Sequence, residues 1–217
     1  FSFPLRYRKL ARDRVPVFFE SAGPTGKCSQ PAIKDQAKRA QVQAKLEKVL
    51  ARRYMLTTGL TIKSLMKYFA VDKGTSDIRM VYDGTANGLN ECCGVPTFWL
   101  ATIDSLLRSL DASSWMTDRD LADMFLNYQL HHTVRPFTGI DLTSAYESGE
   151  GATREESTPK RRWAYWDRNL MGFIASPYNS VKMALIVEEV ARGNRGLAAV
   201  PSPGGRTTTS LGSHKQA

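Results

Sequence analysis

The sequence is poor in the residues that would settle several function classes at once. It has three cysteines, Cys28, Cys92 and Cys93. That odd count has no spacing that makes a disulfide framework or a zinc site, so a reduced, intracellular setting (cytoplasm or nucleus) is expected. No apolar run approaches the roughly 20 residues that span a bilayer. The opening Phe1-Ser2-Phe3-Pro4 has neither the basic nor the apolar region of a secretory signal. Position 1 is not Met, which places the expected native start upstream. Residues 193–217 contain no Asp, no Glu and no aromatic side chain, so that stretch is expected to be a disordered tail. The run Gly23-Pro24-Thr25-Gly26-Lys27-Cys28 fails as a phosphate loop. Its first glycine is too close to Gly26-Lys27, and Cys28 replaces the required hydroxyl.

What is present is a chain of 217 residues, 42% hydrophobic and 24% charged, enough for one sizeable core. Its net charge of +9 is uneven: residues 1–80 hold 17 Lys/Arg against 6 Asp/Glu, and the remainder is slightly acidic. A block this basic reads as a polyanion-contact surface, with nucleic acid the leading partner and an anionic membrane second.

Along the chain, Pro4, Pro16, Gly23-Pro24 and Gly26 make residues 1–30 irregular. A helix is predicted over 32–54, where Lys38, Lys45, Arg52 and Arg53 belong to a basic exposed surface suited to nucleic-acid contact. Two strands, 68–70 and 78–83, follow around a turn at Asp72-Lys73-Gly74. A second helix is expected over 98–110, with Leu100, Ile103, Leu106, Leu107 and Leu110 facing the core. Residues 146–162 read as a polar loop, 163–173 as extended, and 178–192 as a helix.

Four blocks carry the chemistry. The first is Lys73-Gly74-Thr75-Ser76-Asp77-Ile78-Arg79-Met80-Val81-Tyr82-Asp83, followed by Gly84-Thr85-Ala86-Asn87-Gly88-Leu89-Asn90. The second begins near Pro96 and runs through Ile103-Asp104-Ser105-Leu106-Leu107. The third is Asp120-Leu121-Ala122-Asp123-Met124-Phe125-Leu126, leading through His131, Arg135, Phe137 and Thr138. The fourth is Leu170-Met171-Gly172-Phe173-Ile174-Ala175-Ser176-Pro177. Over roughly residues 33–192 their order and spacing resemble the reverse transcriptases of retroelements.

The resemblance implies an α+β right-hand polymerase fold, with a small antiparallel palm sheet packed on helices. Residues 31–112 would be fingers-like and 113–192 a partial palm. It implies template-directed deoxynucleotidyl transfer to a primer 3′-OH, with an RNA or DNA template and deoxynucleoside triphosphates as partners. Asp120 would be the catalytic, Mg²⁺-binding carboxylate, aided by the backbone carbonyl of Leu121; such a hard ion takes oxygen ligands. Lys73 and Arg79 would grip the triphosphate. Asp123, Met124 and Phe125 would line the sugar pocket, with Phe125 excluding a 2′-OH. Gly172 would let the backbone approach the nucleotide, and Met171 stands where retroviral enzymes have Gln. His131 and His132 are read as surface or template-side residues.

The family brings further carboxylates from an aromatic-x-Asp-Asp hairpin about thirty residues beyond Ser-Pro, where this sequence has its acid-free stretch. The expectation is a fragment whose second metal site does not form and which is inactive alone. The alternatives are a non-catalytic, basic nucleic-acid-binding relict, an RNA-copying RNA polymerase (against which Phe125 argues), and a pseudogene translation.

Overall fold

The computed structural model describes residues 8–9, 12–57, 59–74, 76–108, 120–146 and 162–192. The expected segment leading into Asp120 (113–119), most of the polar loop and the tail 193–217 lie outside these residues, as do positions 109 and 110.

Helix α1 spans Gln36–Ala51. It starts four residues later than its apolar pattern suggested because Asp35 is the N-cap, its carboxylate accepting from Ala37 N at 2.9 Å and Lys38 N at 3.3 Å. It ends because Arg53 turns left-handed, with φ +57°. Val42 and Leu46, four apart, are its buried face.

Seven strands follow the helix or flank it. They are β1 (Phe18–Phe19), β2 (Met55–Leu56), β3 (Leu65–Lys73), β4 (Asp77–Asp83), β5 (Cys93–Gly94), β6 (Gly139–Asp141) and β7 (Trp163–Trp166). β1 and β5 form a small antiparallel pair; the others make a five-stranded sheet in the order β2-β7-β6-β3-β4. The expected small antiparallel sheet is instead mixed. β3 runs parallel to β6, pairing Leu65 with Gly139 and Met66 with Ile140. Gly139 permits this approach, since a Cβ there would lie 2.6 Å from the Ser64 carbonyl oxygen.

The β3–β4 hairpin is longer than the sequence suggested. Tyr68 faces Tyr82 and Ala70 faces Met80 on one side, while Val71 pairs with Arg79 on the other. The inner side carries the core, where the Tyr82 and Trp166 rings meet edge-to-face at 4.7 Å. The N-terminal segment is tied in by bridges from Val15 to Leu130 and Lys27 to Leu65. The overall class is therefore mixed α and β. No helix among the described residues is long and apolar enough to cross a membrane.

One expectation is corrected. Only Ile103–Leu107 of the predicted 98–110 helix is helical among the described residues (α2), and none of its side chains is buried. Ile103 is 77% exposed and Leu107 60%. The apolar spacing marked a face that needs covering; it could not show that nothing in the described fold covers it. Helices α3 (Thr143–Tyr146) and α4 (Ala175–Arg192) complete the described elements, and α4 packs on a 3₁₀ turn at Met124–Asn127.

Candidate nucleotide cleft

The basic residues of α1 recur at Lys45, Lys48 and Arg52, a 3-then-4 spacing that sets them on one side of the helix. That side overlooks the inner face of β4. Between them lies an open cleft of about 480 Å³. Val49, Ile78, Met80, Tyr82 and Trp166 make its apolar floor, and Met124, Phe125, Leu126 and Met171 its far wall. Tyr54 and Asp123 stand at the edge with the three cations. The Trp166 indole N–H is buried and has no hydrogen-bond acceptor among the described residues.

The rim is electrically organised. Arg52 Nη1 sits 3.2 Å from Asp123 Oδ2, both half-exposed, and the guanidinium lies over the Tyr54 ring at 5.9 Å. Asp123 is left-handed, φ +51°. Lys45 reaches Asp77 at 2.8 Å; that lysine and the Ile78 N–H hold the Asp77 carboxyl below its ordinary range. Lys48 is exposed and has no ion-pair partner among the described residues.

Six of the residues singled out from the sequence thus meet here: Asp123, Met124, Phe125, Met171, Lys45 and Arg52. The others lie elsewhere. Arg79 is on the outer face of β4 because strand parity sends it opposite to Ile78 and Met80. Lys73 is exposed at the hairpin end. Lys38 pairs with Asp72 at 3.2 Å on an exposed surface, and Arg53 is exposed beyond the helix. Asp120 and Leu121 are exposed and outside the cleft lining.

Gly172 adjoins the cleft with φ +93°, and a Cβ on it would fall 1.7 Å from the Tyr82 carbonyl oxygen. Its missing side chain therefore serves a backbone-to-strand contact. Among the described residues no group of three His, Cys, Asp or Glu side chains gathers to hold a metal. Asp120 offers one exposed carboxylate.

Sequence reasoning missed Tyr54 and Trp166 as lining residues. Lys48 was legible from its spacing to Lys45 and Arg52, whereas Tyr54 and Trp166 needed the pairing of β2 with β7, Met55 against Trp166. It also missed the Asn90 side chain, which donates to Gly172 O at 3.0 Å and accepts from Ile174 N at 2.9 Å. That amide fastens the Met171 turn to the loop after β4.

Behind the cleft, Asp167 is buried with Arg135 Nη1 at 2.7 Å and Gln129 Nε2 at 3.1 Å. Arg14 and Arg168 stand at 3.8 Å. Burial pushes the Asp167 carboxyl above its ordinary range, opposed by the Gln129 hydrogen bond and by Arg14 and Arg168. No protein-family model matches this chain, and no curated protein matches it significantly.

Proposed function

We propose that this chain is the nucleotide-binding portion of an RNA-directed DNA polymerase, taking a deoxynucleoside triphosphate into the cleft between α1, β4 and Met124–Asn127. One observation carries the reading. Three separate segments, holding Arg52, then Asp123 and Phe125, then Met171, converge on one apolar cleft with a cationic rim. An apolar and aromatic floor suits a base and sugar, and Lys48 with Arg52 suits the phosphates. Phe125, on the wall, is the residue that would collide with a 2′-OH. Asp120 is the position the family resemblance assigns to Mg²⁺. Residues 193–217 supply no further carboxylate, so the 217-residue chain binds nucleotide without transferring it.

The test is titration with a fluorescent dATP analogue. Arg52→Gln loses a charge-assisted contact worth about 1.5–3 kcal/mol, so Kd rises about tenfold or more. Phe125→Ala narrows the preference for dATP over ATP. Equal affinity of wild type and Arg52→Gln, or no binding by wild type, refutes the proposal.

A further inference from the structure

The arginines around Asp167 are more than that carboxylate needs. Arg135 is nearly buried, donates through Nε to the Leu130 carbonyl at 3.0 Å, and still has a buried Nη2 without a partner among the described residues. Arg14 and Arg168 reach Asp167 only at 3.8 Å, with side chains 34% and 27% exposed. Arg14 is held at φ +71°, a conformation that costs energy outside glycine and is found where a side chain must be aimed.

The cluster is continuous with the cleft. Arg168 lies over the Tyr54 ring at 5.8 Å, and Arg52 lies against the same ring at 5.9 Å. The Arg168 Nη1 donates to the Asn127 carbonyl at 3.4 Å, at the end of the turn that carries Phe125. Tyr54 O accepts from Asp167 N at 2.9 Å. Four guanidinium groups, Arg14, Arg52, Arg135 and Arg168, thus share two carboxylates, Asp123 and Asp167, and two of them, Arg52 and Arg168, meet at the partly exposed Tyr54 ring. Surplus planar cations beside a stacking surface are what a single nucleic-acid strand uses, the forks taking phosphate oxygens and the ring taking a base.

We propose that Arg168 and Arg14, leading from the cleft past Tyr54, bind the phosphodiester backbone of a single-stranded nucleic acid, with Asp167 and Arg135 as the buried support that positions them. The inference rests on the nucleotide reading of the cleft, because the strand it accepts is the one whose bases would be presented there.

The experiment is fluorescence anisotropy of labelled dT15 and rU15 on the full chain, wild type and Arg14→Gln/Arg168→Gln, from 50 to 200 mM salt. The fluorescent dATP analogue is titrated in parallel. Each phosphate contact on a single strand contributes about 0.7 to the slope of log K against log salt. Losing two lowers the slope by about 1.4, so the affinity lost between those salt concentrations shrinks about sevenfold. DNA and RNA are both expected to respond, since the contact is to phosphate; a response confined to one overturns a backbone site. Phenylglyoxal labelling of wild type gives an answer that does not depend on how the variant folds. Either oligonucleotide is expected to protect Arg14 and Arg168 relative to exposed Arg108. An unchanged slope in a folded variant, or unprotected arginines, overturns the strand site while intact dATP-analogue binding leaves the cleft reading standing. A lowered slope with protection, but no dATP-analogue binding, keeps the phosphodiester site and removes the cleft reading.

Discussion

Gly172→Ala separates two reasons for a glycine beside the cleft. If the residue is there to admit a nucleotide, the methyl group weakens binding and leaves the fold alone. The geometry says otherwise. The added Cβ would stand 1.7 Å from the Tyr82 carbonyl oxygen and 2.9 Å from its carbon. That backbone cannot withdraw easily, because Tyr82 is laddered to Tyr68 and its ring is packed on Trp166. Nor can the turn swing away without breaking the Asn90 bond to Gly172 O. A left-handed conformation costs an alanine about 1–2 kcal/mol, and forcing extra volume into a packed site about 1–3 kcal/mol more. The expected loss is about 2–5 kcal/mol, or a fall in Tm of roughly 5–20 °C for a domain of this size. Thermal melts followed by circular dichroism, with dATP-analogue titration at low temperature, read both quantities. A variant that melts within about 2 °C of wild type yet binds nucleotide poorly would refute the packing argument.

Other perturbations test other parts. Asp167→Ala strands Arg135 without its buried partner and should cost about 3–5 kcal/mol in urea denaturation, the usual penalty for breaking a buried pair from one side. Cys93 is pushed up to about 12, chiefly by burial, so iodoacetamide at pH 8 should leave it unlabelled in the native chain and label it in urea. His131 is held below its ordinary range by burial and by His132 and Arg14, with Asp13 opposing. The unfolded chain then binds the proton more readily. The His131 contribution to stability is therefore whole above about pH 6.5 and is lost as pH falls towards the folded value. His131→Gln should flatten the stability profile across that window.

How much could be read from the chain alone depends on how far away each cause lies. The body of α1 was legible because the absence of Gly and Pro is local, whereas the Asp35 cap and the buried pair Val42 and Leu46 emerged only in the structure. The inward set Ile78, Met80 and Tyr82 was legible from parity, and the same parity places Arg79 outside. The length of β3 was not, since its first residues are strand only through pairing with β6, more than seventy residues on. Ile103 and Leu107 show the limit of periodicity: a repeat identifies an apolar side, and burial needs a partner that no local pattern specifies. Asp167 was invisible for the opposite reason. It sits in an aromatic run whose neighbours say nothing of Arg14 and Arg135, which reach it from 153 and 32 positions away.

The loop after β4, residues 83–90, joins the strand of the cleft floor to the turn of its far wall. Its polar side chains are spent on the fold. Asp83 Oδ1 accepts from Thr85 N and Ala86 N, both at 2.9 Å, closing the turn. Asn87 is buried and donates to Ser64 Oγ at 2.8 Å and to the Phe137 carbonyl at 3.2 Å, tying the loop to the entries of β3 and β6. Asn90 then fastens Gly172 and Ile174. Met171, beside Gly172, is 47% exposed at the cleft wall. The Asn90 amide attaches that wall to the loop leaving β4, the strand that supplies the floor. Gly172 against the Tyr82 carbonyl then brings the backbone of wall and floor together.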